Sequence, residues 1–543
     1  MNKLLVLFFL TIVFFSCGKE GKTPEFSHSS INQKQVPLFV NHENPDVLHV
    51  KISVPDTGKT HQLNSAKFYF RENNTPGILE SAQVKHLKNG EEQYEPIANN
   101  GLLVKDNKAE IELTAQIDPG NHILSFGFQI KDDALLTESF SIQHVELKFE
   151  DGSVLNLEPE TEFAYRPANV VRVAGQDNCD TYRIPGIITT GRGTLIAVYD
   201  NRYNNSKDLQ EDIDVGMSRS TDGGQTWEPM RVIMDMGEWG GRSERLNGIG
   251  DPSVLYDHTT GTIWVAALWI SGFSETDMLW WASKPGMKPT ETGQFVLVKS
   301  TDDGLTWSEP VNITEQIKDP DWQLLFQGPG RGITLDDGTL VFPAQFKADI
   351  GEKALDGGQY TAHSTIVYSK DGGETWHIGT GAKPNTTEAQ VVQLTDGSLM
   401  LNMRDDLNRR VKDETNGRAV AVTSDLGKTW TIHPSSNSAL PESNCMGSLI
   451  AADVEIGGNK QQVLFFSNPN DKEARVNMTI KASLDGGHTW PEKHQVLLNE
   501  TQGFGYSCMT MTDENTVGIL YEGPKELYFQ KVPVDELLGN TLE

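Results

Sequence analysis

The sequence predicts an all-β chain: a six-bladed β-propeller over residues 168–543, preceded by a β-sandwich-like domain over residues 25–167. Three observations predict it. A phrase of the form Ser/Thr-x-Asp-x-Gly-x-Thr-Trp starts at Ser220, Ser300, Ser369, Thr423 and Ser483, at separations of 80, 69, 54 and 60 residues, a spacing suited to propeller blades. Strand-like runs follow turn signals at Gly193, Gly261, Gly338 and Gly397, and the looser "QQVLFFSN" and "TVGILYEG" bring these to six. Residues 25–167 lack the repeated phrase but alternate apolar and polar side chains, as in "KAEIELTAQI" and "HILSFGFQI", the pattern of strands with one buried face.

Taken in order, the chain opens on "MNKLLVLFFLTIVFFSC", a lysine, an apolar stretch and a small residue before cysteine. This reads as an export signal over residues 1–17 of the lipoprotein type, with Cys17 lipidated, followed by a linker over 18–24. The expected location is the periplasm or, through the lipid anchor, the outer membrane or cell surface; an ordinary secretory signal and a secreted protein are the alternative. No later apolar run is long enough to cross a bilayer. The β-sandwich-like domain leaves its role open between carbohydrate binding, substrate presentation and spacing. Each propeller unit then reads as strand A, tight turn, strand B, with strand A at "YRIPGIIT", "DPSVLYD", "RGITLDD", "EAQVVQLTD", "GSLIAADVE" and "YSCMTMTD". The hairpin carrying the repeated phrase supplies strands C and D. In each phrase the Asp accepts backbone N–H bonds, glycine takes positive φ and Trp packs beneath the hairpin. The sixth unit ends before any repeated phrase, and "ANVVRVA" at Ala168–Ala174 is expected to supply its outer strand and close the ring.

Composition excludes several functions. With 46 basic against 75 acidic residues and a formal charge of −29, no diffuse basic surface exists for nucleic acid or anionic lipid. After processing only Cys179, Cys445 and Cys508 remain, without CxxC spacing, and the 13 histidines include no HExxH, so no metal site is signalled. Gly328-Pro329-Gly330 lacks the Lys-Ser/Thr of a phosphate loop and reads as turn chemistry. Nothing sets an oligomeric state.

In an up-and-down blade, the starts of A, the ends of B and the starts of C share one rim, opposite the repeated turns. That rim collects Arg183, Asp251, Glu388 and Tyr506 at starts of A, Arg202, Arg404 and Glu522 at ends of B, and Arg475 just before a C strand. Arginines from separate blades facing one axis repel one another unless an anion joins them, and a carboxylate matches their planar forks.

"YRIP" at Tyr182–Pro185, with the five repeated turns, resembles the bacterial exo-α-sialidases, a retaining glycoside hydrolase family, from about Asn169 to the C-terminus. The resemblance implies a carboxylate-binding triad at Arg183, Arg404 and Arg475, a nucleophile at Tyr506, its partnering base at Glu388 and an acid/base at Asp208, with Asp212 and Asp214 as neighbours. It further implies that Arg202 reaches the substrate's far hydroxyls and that Glu522 holds Arg183; Asp251 in "GDPS" either touches substrate or only caps its strand. No cofactor is implied, and the expected partners are sialylated glycans. Two rival readings keep the same arginines: a trans-sialidase, including the intramolecular kind, and a non-catalytic sialoglycan-binding propeller. An interaction scaffold bearing similar turns would not need them.

Overall fold

The computed structural model describes residues 26–72, 74–272, 274 and 276–539. The expected export signal, the lipidation of Cys17 and the 18–24 linker lie outside the described residues. The chain divides into two compact units. One holds residues up to Gln33, Pro45–Phe128 and Ser141–Glu162; the other holds Lys34–Asn44, Gln129–Phe140 and everything from Phe163 onward. Three stretches assigned by sequence to the N-terminal domain, 34–44, 129–140 and 163–167, therefore belong to the second unit. The first of them has a visible reason: Leu38–Phe39 pairs in parallel with Pro167–Ala168.

The first unit contains two five-stranded sheets. In Lys108–Ile117 every second residue is buried, from Ala109 to Ile117, so one face of the pleat meets the core while the other meets solvent. Phe68 from one sheet packs edge-on against Phe126 and Phe128 from the other, with centroids 5.4 and 5.3 Å apart.

The second unit contains six sheets of four or five strands. The first runs Thr181–Thr189, Leu195–Arg202, Ile213–Ser220 and Arg231–Met234 in consecutive antiparallel pairs. In the sixth, Ser507–Asp513, Thr516–Glu522 and Leu527–Pro533 are joined by Pro167–Arg172, which pairs Asn169 with Phe529 and Val170 with Tyr528. The outer strand is thus supplied from before the first sheet. Thr181–Thr189 packs against Ile249–Asp257, which packs against Ile333–Thr334; Leu340–Ala348 of the third sheet packs against Thr386–Gln393, that strand against Ser448–Ile456, that one against Ser507–Asp513, and Ser507–Asp513 against Thr181–Thr189.

The third sheet departs from the expected strand at "RGITLDD". Leu324–Gln327 and Ile333–Thr334 pair with Leu340–Ala348, while Gly330–Arg331 between them pairs in parallel with Ser253–Val254 of the second sheet. Pro329 has no N–H for a ladder, and Gly330 turns the chain at φ +104°, a conformation that favours glycine.

The repeated phrases form one turn. Asp222 accepts from the Thr226 backbone N–H at 3.0 Å, from Thr226 Oγ1 at 2.6 Å and from Ser220 Oγ at 2.8 Å, while Gly224 N–H donates to Ser220 Oγ at 2.8 Å. The second glycine of the phrase also serves packing: a Cβ at Gly224 would lie 2.1 Å from Phe529 of the sixth sheet, and one at Gly373 2.5 Å from Trp264 of the second. The expectation for tryptophan holds unevenly. Trp376 and Trp490 are buried, whereas Trp227, Trp307 and Trp430 remain partly exposed.

Candidate active site

Inner strands rich in Ile, Val and Ala would carry their polar end residues out of the core in a regular ladder. Three of them break register at a candidate residue: between Arg183 and Gly186, between Gly250 and Ser253, and between Thr387 and Ala389. Such bulges re-aim side chains. In two of the three the residue before a proline takes positive φ, Ile184 at +57° and Asp251 at +55°, and the proline itself offers the ladder no N–H. A β-branched residue in that region is strained, and strain of this kind gathers at functional sites.

Glu522 holds the strained turn. Its Oε1 accepts from Arg183 Nε and the Ile184 backbone N–H, each at 2.9 Å, and its Oε2 accepts from the Tyr506 backbone N–H at 2.9 Å and Arg183 Nη2 at 3.4 Å. A fully buried carboxylate with four charge-assisted bonds fixes Arg183 relative to Tyr506.

Tyr506 Oη donates to Glu388 Oε1. Arg404 Nη1 donates to Glu388 Oε2 at 2.6 Å and lies 3.1 Å from Tyr506 Oη. The guanidiniums of Arg183 and Arg475 stand 5.0 and 5.6 Å from the Tyr506 ring centroid. Arg475 donates only to the carbonyls of Phe504, at 2.8 Å, and Asn444, at 3.3 Å, so its charge has no carboxylate partner among the described residues. Arg404 Nε is buried without an acceptor. All three arginines of the expected triad therefore gather around one phenol, with donor capacity left over.

The protonation states follow from the surroundings. Burial and the nearby Glu388 charge push the Tyr506 phenol well above its ordinary pKa, against the pull of Arg404. Burial also pushes Glu388 upward, but Arg404 and the Tyr506 hydroxyl outweigh it and hold the carboxyl below its ordinary value. A neutral phenol thus faces an ionised acceptor.

Asp208 is the most open of the group, its side chain 58% exposed. Its Oδ1 accepts from Arg202 Nη1 at 2.7 Å and Arg183 Nη1 at 3.4 Å. Burial raises its pKa, yet these two guanidiniums win and hold it below the usual carboxylate range. Asp212 and Asp214, its neighbours in sequence, are not among the residues lining the cavity described next; Asp214 instead accepts from the Tyr203 hydroxyl at 2.9 Å.

Arg202 is 1% exposed, with Nε and Nη2 on Asp200 Oδ2 at 3.1 and 2.8 Å and Nη1 on Ser206 O and Asp208. Its fork is committed, and it orients Asp208. Asp251 reaches the cavity; its backbone N–H donates to Asp200 Oδ1 at 2.8 Å. Burial, with Asp200 and Asp208 nearby, pushes the Asp251 carboxyl well above its ordinary pKa.

Asp208, Asp251, Glu388, Arg404 and Tyr506 line one cavity of about 360 Å³, within the range of small-ligand sites. Its further wall is apolar, from Leu209, Leu268, Leu279, Phe326 and Trp280. Trp280 Nε1 donates to Asp356 at 3.0 Å, and Lys347 Nζ sits 4.0 Å from the Trp280 ring centroid. Sequence reasoning missed Asp200, Gln345, Asn444 and Phe504. Of these only Asp200, at a B-strand end two residues before Arg202, carried a positional signal. Asn444, which accepts from Arg404 Nη2 at 2.9 Å, follows no repeat.

A family model described as BNR repeat-like domain matches residues 193–519. The chain is 45% identical over 489 residues to a sialidase of Bacteroides fragilis (strain YCH46), covering 90% of this chain and 84% of that protein. Among solved structures, a Hadza microbial sialidase aligns with a TM-score of 0.81 at 39% identity, covering 93% of this chain and 99% of that one. An intramolecular trans-sialidase from Ruminococcus gnavus aligns with a TM-score of 0.54 at 18% identity over 68% of this chain and 98% of that one, a likeness of fold alone.

Proposed function

The chain belongs to the bacterial sialidase family and is an exo-α-sialidase, a glycoside hydrolase; from that premise we propose that it releases terminal sialic acid from sialylated glycans with retention of configuration, Tyr506 acting as the nucleophile. The observation that carries this reading is the Tyr506 hydroxyl, bonded to Glu388 and ringed by Arg183, Arg404 and Arg475.

In the proposed cycle the three guanidiniums seat the sugar's carboxylate through charge-assisted bonds. The anomeric carbon then carries an anionic substituent, so a neutral phenol approaches it without the repulsion an ionised Asp or Glu would meet. This departs from the two-carboxylate scheme of most glycosidases. Ionising a phenol of pKa about 10 at pH 7 costs ~4 kcal/mol, and the surroundings of Tyr506 raise that cost. Its proton therefore passes to Glu388 as the bond to carbon forms. Asp208 protonates the departing oxygen and afterwards takes a proton from the water that frees the sugar. The free site keeps Asp208 ionised, so the substrate's own negative charge, set against Arg183, is what raises it into range. Arg202 positions Asp208, and Asp251 with the apolar wall bounds the sugar.

The packing of each sheet on the next, with Thr181–Thr189 of the first against Ser507–Asp513 of the sixth, together with the strand Pro167–Arg172 in the sixth sheet, supports a closed six-bladed propeller. The apolar N-terminal stretch supports export and anchoring through Cys17, which would bring the site to glycans outside the cytoplasm.

Tyr506→Phe tests the nucleophile. The expected result is a fall in kcat of about 10³-fold or more with little change in KM, while NMR of the wild-type products shows free α-sialic acid first. Full turnover by the variant would contradict the reading. An anhydro or transferred product from the wild type would favour the trans-sialidase alternative.

A further inference from the structure

A second cavity, of about 450 Å³, opens at the far ends of the same inner strands. The strand that begins near Arg183 reaches it at Thr189, the strand that follows Tyr506 at Thr510, and the strands carrying Asp251 and Glu388 at Tyr256 and Val392. All six sheets contribute to its lining, and none of the residues around Tyr506 does.

Arg331 is its one arginine. The break in the third sheet places it there: Gly330–Arg331 leaves its own sheet and pairs with Ser253–Val254. Arg331 Nη1 donates to the Met509 carbonyl at 3.2 Å, and Nε is buried without an acceptor. No carboxylate lies within ion-pair distance of it among the described residues. Burial lowers its pKa, and only the Cys508 thiol acts the other way. A half-buried guanidinium with one neutral partner has bound too little to offset the hydration it has lost. Beside it the lining is apolar at Ile333, Val392 and Leu449, and Asp336 and Asp453, both exposed, line the same cavity.

We propose that this cavity is a second ligand site, in which Arg331 binds the carboxylate of a small organic acid whose carbon body lies against the apolar lining. The single half-buried cation favours a monoanion, and the two exposed aspartates disfavour multiply charged ligands such as phosphates. The cavity's volume is that of a small-molecule site and exceeds what a halide would fill.

The test uses crystals of the full chain soaked in sodium 4-bromobenzoate, with the bromine located by its anomalous signal. The expected result is a bromine in this cavity with the carboxylate on the Arg331 guanidinium, and its loss in Arg331→Met crystals soaked alike. A wild-type map with no bromine there overturns the proposal, whatever the arginines around Tyr506 bind, and so does a bromine that persists unchanged in Arg331→Met. Should the variant fail to fold, the wild-type map decides by itself. The activity of Arg331→Met on a sialoside, expected within twofold of wild type, separates this site from the one around Tyr506.

Discussion

Glu522 accepts from two backbone N–H groups and twice from Arg183, and so ties the strained Ile184 turn, one arginine and the Tyr506 backbone into one unit. Asp208, the proposed acid/base, is set differently, by the buried Arg202 that donates to it at 2.7 Å. Arg202 holds Asp208 below its ordinary pKa, and removing it should release that hold. In Arg202→Met the Asp208 carboxyl rises, its protonated form persists to higher pH, and the basic limb of the kcat/KM profile moves up by about one unit. A basic limb that stayed in place or moved down would contradict the assignment. Arg183, Arg404, Arg475, Glu388 and Tyr506 were legible in the sequence because short motifs and strand-end positions marked them. Asn444, which accepts from Arg404, and Gln345, whose Oε1 accepts from the Glu388 backbone N–H at 3.1 Å, were not, since such amides are recognised only by what folding brings beside them.

Among the elements, the repeated turns carried the clearest sequence signal, as each closes within eight residues and needs no distant partner. Their packing role was less visible. Gly224, at φ +91°, has no room for a Cβ beside Phe529, whereas Gly372, at φ +68°, has nothing within 4 Å. Alanine at Gly372 should cost only the backbone strain, about 1–2 kcal/mol. Alanine at Gly224 should cost about 1–3 kcal/mol more through the displaced ring. Denaturant midpoints of the two variants check this, and equal losses would deny the inter-sheet contact. The broken strand of the third sheet escaped sequence reading for a related reason. "RGITLDD" has ordinary strand composition, and its division depends on pairing with Ser253–Val254, which local pattern does not encode.

For the whole molecule, the repeats gave the number of sheets and the source of the last strand, while the segments 34–44 and 129–140 fall in the second unit, where Leu38–Phe39 pairs with Pro167–Ala168 and the Leu136 N–H donates to Gln225 Oε1 at 3.0 Å. Lys481 bears on stability rather than chemistry. It is buried, its only hydrogen-bond partner among the described residues is Asn468 Oδ1 at 3.0 Å, and burial lowers its pKa to about 7. Between pH 7 and the unfolded value near 10.5 the unfolded chain binds the extra proton, so this lysine's cost is full below pH 7 and fades as pH rises. Lys481→Met should therefore stabilise the protein at pH 6 by ~1–4 kcal/mol, with the gain shrinking by pH 10. A gain independent of pH would contradict the cause. The central claim, that a proton-relayed phenol bonds to the sugar, is met most directly by trapping the whole protein with 2,3-difluorosialic acid and mapping the adduct by peptide mass spectrometry. The expected result is one added sugar on Tyr506 and none on Tyr506→Phe; an adduct on Glu388 or Asp208 would overturn the proposed nucleophile.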